Sequence, residues 1–335
     1  MIKKVLSVLL IICLFAFLPS CEKKKENFSK TVVDYFDTVT TVSGYFYNEE
    51  EFNNCFKRID KKLKRYNKLF DIYKNYDINN IKTINDNAGI KPVKVDSEII
   101  KLLYFGKKVY DLTNGNVNIC FGAVTKIWHN YREKGVSLPT KKELDFAKKL
   151  TGIDNLVINE KTSTVFLKKH GCSLDVSAIA KGFVCDELKQ FAIKNSFESG
   201  IINLGGNVTV IGKKDGKDFT VGVRNPDDTS NNIYTLKIQN KSVVTSGDYE
   251  RFYEVNGKKY CHIISPKTLF SADNNKSVTI VCDNSALADA LSTALFIMDY
   301  SDGLKLIDSI DNCEALIIDK NSKSHFSSGF KGLIK

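Results

Sequence analysis

The strongest constraint on this chain is the irregular order of its helix and strand signals. Phe52 to Tyr73 carries apolar residues at helical spacing (Phe56, Ile59, Leu63, Tyr66, Phe70). Ser97 to Thr113 reads as a second helix, begun by an N-capping serine and stopped by the Asn114-Gly115 turn. Ser177 to Ile193 and Ser285 to Met298 are two more. Short β-rich runs lie at Asn155 to Asn159, Thr164 to Lys168, Asn207 to Gly212, Phe219 to Arg224, Tyr234 to Ile238, Ser277 to Cys282 and Ala315 to Asp319. The even strand–helix spacing of a βαβ protein is missing. The pattern therefore predicts an α+β fold, a single domain with a largely antiparallel sheet flanked by helices.

The N-terminus predicts where the chain works. Met1-Ile2-Lys3-Lys4 is a short basic start, Val5 to Leu18 carries no charge, and Leu18-Pro19-Ser20-Cys21 closes the stretch. That is a signal-peptide layout with an apolar core too short to span a bilayer comfortably. A cysteine at the cut resembles a bacterial lipoprotein signal, in which the acylated thiol becomes the new N-terminus and holds the protein on a membrane. The expected division is residues 1–20 as lipoprotein signal, 21–32 as a charged, mobile tether, and 33–335 as one domain. Removal of Lys3 and Lys4 with the signal lowers the formal charge from +10 to +8. The remaining lysines are interspersed with acids and asparagines, with no aromatic-studded basic stripe, so no nucleic-acid partner is expected; a solvated face near anionic lipid fits better. Beyond Cys13 and Cys21, seven cysteines remain without a CxxC spacing. An odd number without that spacing argues against a disulfide framework or a zinc site and for buried free thiols.

Four stretches carry candidate chemistry. In Ser285 to Met298, Asp289 and Thr293 are four apart and project from one side of adjacent helical turns, at the margin of an apolar face. A carboxylate and a hydroxyl so placed can give one Mg²⁺ two hard oxygen ligands. In Leu174 to Asp186, Asp175 and Ser177 stand where a helix would be capped, and Lys181 follows one turn later, a combination suited to phosphate. Thr245 to Arg251 (TSGDYER) and His262 to Thr268 (HIISPKT) read as strand, turn and strand. His262 is a candidate general base because imidazole titrates near working pH. Asn203 to Asn207 (NLGGN) is a turn where backbone can approach a ligand closely. No GxGxxG, P-loop, HExxH or GxSxG motif is present. Taken singly, each stretch also fits a purely structural role: a polar helix position, a capped surface helix, a hydrogen-bonding histidine.

Taken in order, DVSAIAKGFVCD, INLGGN, VTSGDYERF, HIISPKT and ALADALSTALF resemble the ApbE family of FAD:protein FMN transferases, from Phe36-Asp37-Thr38 to about Tyr300. The resemblance implies Mg²⁺ held by Asp289, Thr293 and the carbonyl of Ala178. It implies FAD contacts at Asp175 and Lys181, a ring at Tyr73 against the isoalloxazine, and further contacts at Asn116, Val117, Asn118, Phe36 and Ile263. The implied reaction moves FMN from FAD to a Thr or Ser hydroxyl of an acceptor protein, a membrane-bound or secreted redox protein, and releases AMP. His262 is the favoured proton acceptor, with Asp248 as second candidate. The alternatives are an FAD pyrophosphatase giving FMN and AMP, and a lipoprotein that binds FAD without chemistry. Three positions depart from the family pattern: Leu269 stands for the usual Gly after Pro-x-Thr, Asn118 for a frequent Asp, and Asp37 for the Gly of the first Gly-Thr motif.

Overall fold

The computed structural model describes residues 24–335; the expected signal segment and Cys21 lie outside them. Its centre is an eight-stranded sheet. The strands are β1 (Glu26–Tyr35), β2 (Thr38–Phe46), β3 (Gly200–Leu204), β4 (Asn207–Ile211), β5 (Ser242–Gly247), β6 (Asn275–Cys282), β7 (Cys313–Asp319) and β8 (Ser324–Phe326). They lie side by side in chain order, and every neighbouring pair is antiparallel. The expected α+β fold is the one observed, with the sheet a meander whose connections have been enlarged.

Most of the helices lie in the β2–β3 connection: α1 (Glu49–Phe70), α2 (Ile81–Asp86), α3 (Ser97–Leu112), α4 (Gly122–Lys134), α5 (Lys141–Lys148) and α6 (Ser177–Lys194). The β6–β7 connection carries α7 (Ser285–Ile297) and α8 (Tyr300–Asp308). One face of the sheet (Val42, Ile202, Val244, Val278, Ile280, Ile317) packs against α1, α3, α6 and α7 in the main core. The other face (Val210, Val243, Val281, Leu316, Ile318) is covered by the hairpin Phe219–Arg224/Asn232–Ile238 and by Phe330. Because β6 and β7 are covered on both sides, they read as nearly continuous apolar runs, which is why the sequence revealed them.

Two expectations are corrected. Residues 26–32, assigned to the tether, belong to β1, which pairs from Glu26 opposite Phe46 to Tyr35 opposite Thr38, with a bulge between Val32 and Tyr35. Its sequence is polar because it is an edge strand with one neighbour, and Phe28 stacks on Phe52 of α1 at 5.9 Å. The cysteines are not all free: Cys282 and Cys313 form a disulfide, while Cys55, Cys120, Cys172, Cys185 and Cys261 are buried thiols. Cys282 and Cys313 stand directly opposite in the β6–β7 ladder, with Cα atoms 4.3 Å apart, the close spacing of a non-hydrogen-bonded pair. A cross-strand pair 31 residues apart in sequence leaves no local spacing to read.

Two of the departures from the family's glycines fall on left-handed backbone. Phe36 and Asp37, with φ of 55° and 50°, form the two-residue turn between β1 and β2, a conformation glycine adopts freely. Leu269 has φ of 65° and is only 4% exposed, packed with Trp128, Phe121, Tyr253 and Ile264. Its carbonyl accepts from the Trp128 indole N–H at 2.9 Å. A left-handed leucine costs about 1–2 kcal/mol, and burying its side chain returns about 1.5–3 kcal/mol, so packing outweighs strain. Truncation of Leu269 to Ala keeps the strain and loses the packing, and should cost about 3 kcal/mol in urea unfolding. Leu269→Gly should cost less than Leu269→Ala, because glycine accepts the positive φ. The reverse order would show that the strain is negligible.

Candidate active site

The site is built around the crossing of α6 and α7. A Cβ placed on Gly182 of α6 would lie 2.3 Å from the Ser285 carbonyl oxygen and 2.7 Å from Asp289 Cβ, so only glycine permits this approach. Two carboxylates exploit it in opposite directions. Asp186 of α6 accepts from the N–H groups of Ser285 and Ala286 at 2.9 and 2.8 Å, and Asn284 caps Leu287 N–H at 2.7 Å, satisfying the first donors of α7. Burial pushes Asp186 up to about 6, opposed by those two amides. Asp289 of α7 reaches back and accepts from Gly182 N–H at 2.9 Å. In an ideal helix that N–H would point at the carbonyl of Ala178.

Asp289 is 4% exposed. Burial raises its pKa, while Lys181 and the Gly182 amide pull it down. Lys181 Nζ stands 3.5 Å from its carboxylate. The Thr293 hydroxyl, one turn on, donates to the Asp289 main-chain carbonyl at 3.3 Å. At the start of α6, Asp175 accepts from Ser177 N–H at 2.9 Å and from the Thr125 hydroxyl of α4 at 2.7 Å, and its own N–H donates to the Ile119 carbonyl at 2.8 Å. Those bonds tie the start of α6 to the segment carrying Asn116, Val117 and Asn118. Asn118 is itself fixed by bonds to Thr151 O and Cys120 N, both 2.8 Å.

These groups face one cleft of about 480 Å³. Antiparallel order puts the β1–β2 turn, the β3–β4 turn and the β5–β6 connection at the same end of the sheet, and all three supply cleft residues: Asp37 and Thr38, then Gly205, then Arg251 and His262. The cleft gathers most of the expected residues: Asn116, Val117, Asn118, Asp175, Ala178, Lys181, His262, Ile263, Asp289 and Thr293. His262 hangs from a backbone bond to the Arg251 carbonyl (2.9 Å), and its Nδ1 is buried without a hydrogen-bond partner among the described residues. Burial, reinforced by Arg251, Lys181 and Arg132, lowers its pKa to about 3, so the imidazole is neutral at physiological pH.

Three expected residues stand apart. Tyr73, 52% exposed, lines an adjoining cavity of about 550 Å³ that meets the cleft at Thr125, and its ring is backed by His129 at 5.0 Å. Phe36 lies in the turn beside the cleft, its N–H donating to Asn67 at 2.8 Å. Asp248 does not line the cleft: it pairs with Lys259 at 3.6 Å, because the turn after β5 presents Gly247, Glu250 and Arg251 inward instead. Thr38, Thr125 and Arg251 also line the cleft without having been expected as site residues; Arg251 stands within the TSGDYER stretch and Thr38 within Phe36-Asp37-Thr38, whereas Thr125 carries no motif signal.

Asp289, Thr293 and the Ala178 carbonyl form an all-oxygen set, the donor type preferred by Mg²⁺. The buried Asp289 carboxylate, steadied by a lysine 3.5 Å away, fits a dication: the group needs compensating charge that the protein alone supplies only at a distance. Among the described residues no three His, Cys, Asp or Glu side chains converge as a metal cluster.

A helix crossing that presents oxygen donors, a lysine and a helix start to one cleft defines an α+β protein equipped for phosphate groups. The ApbE family model matches residues 36–317, and the chain belongs to the ApbE family. It is 31% identical over 273 residues to the FAD:protein FMN transferase of Klebsiella pneumoniae (strain 342), covering 81% of this chain and 84% of that one. It is 33% identical over 273 residues to the FAD:protein FMN transferase of Treponema pallidum (strain Nichols), covering 76% and 75%. The crystal structure of the ApbE protein from Thermotoga maritima superposes with a TM-score of 0.84 at 27% identity, over 92% of this chain and 100% of that one. The flavin transferase ApbE from Vibrio cholerae shares the fold, with a TM-score of 0.79 at 22% identity, over 92% and 99%.

Substituting Gly182 by Ala drives a methyl group into the Ser285 carbonyl and should part the two helices. We expect a loss of about 1–3 kcal/mol in chemical denaturation, together with weakened Mg²⁺ binding in calorimetry. Unchanged stability and metal affinity would mean that the crossing does not position Asp289.

Proposed function

We propose that the protein is a Mg²⁺-dependent FAD:protein FMN transferase. The observation that carries this reading is the convergence of Asp289, Thr293, Ala178 and Lys181 with Asp175 and Asn116 to Asn118 in one cleft. Lys181 and Arg251 give that cleft the positive charge to hold a pyrophosphate, and the adjoining cavity offers the Tyr73 ring to the isoalloxazine. Mg²⁺ bound by Asp289, Thr293 and the Ala178 carbonyl supplies charge neutralisation at the pyrophosphate and at the departing AMP phosphate.

An acceptor Thr or Ser oxygen attacks the FMN-side phosphorus of FAD. The bond from that phosphorus to the bridging oxygen breaks, and the oxygen leaves with AMP. The hydroxyl proton passes to a base. His262 is that base: it is neutral and faces the cleft, whereas Asp248 is held away by Lys259. Its low basicity rises when the FAD pyrophosphate offsets Lys181 and Arg251, the cations that help depress it. The same proposal places the chain outside the cytoplasm, exported through residues 1–20 and anchored by acylation at Cys21, beside membrane or secreted redox acceptors.

Incubation with FAD, Mg²⁺ and an acceptor, with AMP and acceptor mass followed together, separates the readings. Transfer gives AMP and an FMN-sized mass gain; AMP with free FMN would indicate hydrolysis, and no AMP would sink both. Asp289→Ala should abolish AMP release at ordinary Mg²⁺ concentration, and full activity in that variant would mean the metal ligands are misassigned.

A further inference from the structure

The amphipathic helix α1 has a second face that neither the core nor the cleft uses. Between Lys57 and Lys68 it carries seven Lys or Arg side chains and a single acid, Asp60. The apolar positions Phe52, Cys55, Ile59, Leu63 and Tyr66 are buried on one side. Lys57, Lys61, Lys64 and Lys68 recur at the spacing that lines up the opposite side, flanked by Arg58 and Arg65.

The flanking cations are occupied: Arg65 with Asp96, Lys68 with Asp77 at 2.9 Å, Arg58 with Asn195, and Lys62 over the Phe191 ring at 4.9 Å. Asp60 accepts from the Tyr35 hydroxyl at 3.0 Å and is thereby engaged toward β1. Lys57, Lys61 and Lys64 are exposed and have no ion pair among the described residues. A row of like charges left unpaired on one rigid helix face repels itself, and an extended anionic surface relieves that repulsion.

Where the chain enters the fold indicates which surface that is. β1 begins at Glu26, so no more than about 17 Å of chain separates it from Cys21. β1 runs alongside α1: Phe28 stacks on Phe52, and Lys30 lies over the Phe56 ring at 5.6 Å. A chain tethered at Cys21 therefore meets its membrane on the α1 flank. At the other end of α1, Asn67 holds the Phe36–Asp37 turn, and Asp37 lines the cleft.

We propose that the Lys57–Lys61–Lys64 stripe of α1 is a docking face for an anionic lipid surface, which turns the cleft mouth toward proteins in that membrane. The inference rests on charge, exposure, the position of β1 and the proposed anchor at Cys21 rather than on the flavin chemistry, so it can fail while the transferase reading stands.

The full chain, reconstituted into nanodiscs of phosphatidylglycerol or of phosphatidylcholine, can be probed by amine acylation followed by peptide mass analysis. Lys57, Lys61 and Lys64 should react at least about fivefold more slowly in the anionic discs, and high salt should restore their rate by screening. Lys320 and Lys335 are exposed and serve as controls; their rates should not change. In the triple variant K57Q/K61Q/K64Q, the protection of Lys68 in anionic discs should disappear, with affinity falling about a hundredfold, roughly fivefold for each lysine. Equal reactivity of the three lysines in both discs would overturn the proposal. So would protection that survives high salt, since charge would then not be what holds the face down.

Discussion

The close crossing of α6 and α7 at Gly182 is the contact on which the rest of the site depends. It lets two acidic side chains work across the same gap in opposite directions. Asp186 satisfies the start of α7 and so fixes that helix in place. Asp289, on the helix so fixed, returns to the Gly182 amide beside Lys181. Any residue larger than glycine at position 182 would push the Asp289 carboxylate away from the α6 backbone. The apolar face of α7, buried through Ala288, Leu291 and Leu295, makes the crossing rigid enough to hold oxygen ligands in register.

The sheet explains how distant segments meet at that crossing. Because its strands follow chain order and alternate direction, every second connection falls at one end. Short turns there deliver Asp37 and Gly205, and a longer connection delivers Arg251 and His262. The helices of the β2–β3 and β6–β7 connections then roof the same end from one face. The cleft is thus a product of topology, with its electrostatics set locally: acids and bases share a partly dry space, and His262 is kept neutral by burial, reinforced by the same cations that suit an anionic substrate.

The parts of this arrangement legible in the sequence were those with a strong local period or an ordered motif. The helices beginning at Ser177 and Ser285 start where the sequence placed them, and the motif order brought Asp175, Lys181, Asp289 and Thr293 into one cleft. What stayed hidden was decided by partners far along the chain. β1 is polar because it is an edge strand, so its residues read as tether. α4 and α5 are short and bury little (Gly122, Val124 and Trp128; Leu144 and Ala147), so their period is weak. The Cys282–Cys313 bond depends on strand register, and the orientation of Asp248 on which way one turn faces. Asp37 and Leu269 show the reverse: sequence marked them as departures from glycine, and the positive φ angles explain why glycine is the family's choice.

The claim that the α6–α7 crossing builds a cation site for the FAD pyrophosphate can be tested most directly by crystals grown with FAD and Mn²⁺, with data collected for anomalous scattering. The peak should be coordinated by the Asp289 carboxylate, the Thr293 hydroxyl and the Ala178 carbonyl, within about 2.0–2.3 Å of each and touching the pyrophosphate. A peak held by other residues, or FAD bound with its pyrophosphate away from Asp289, would contradict it.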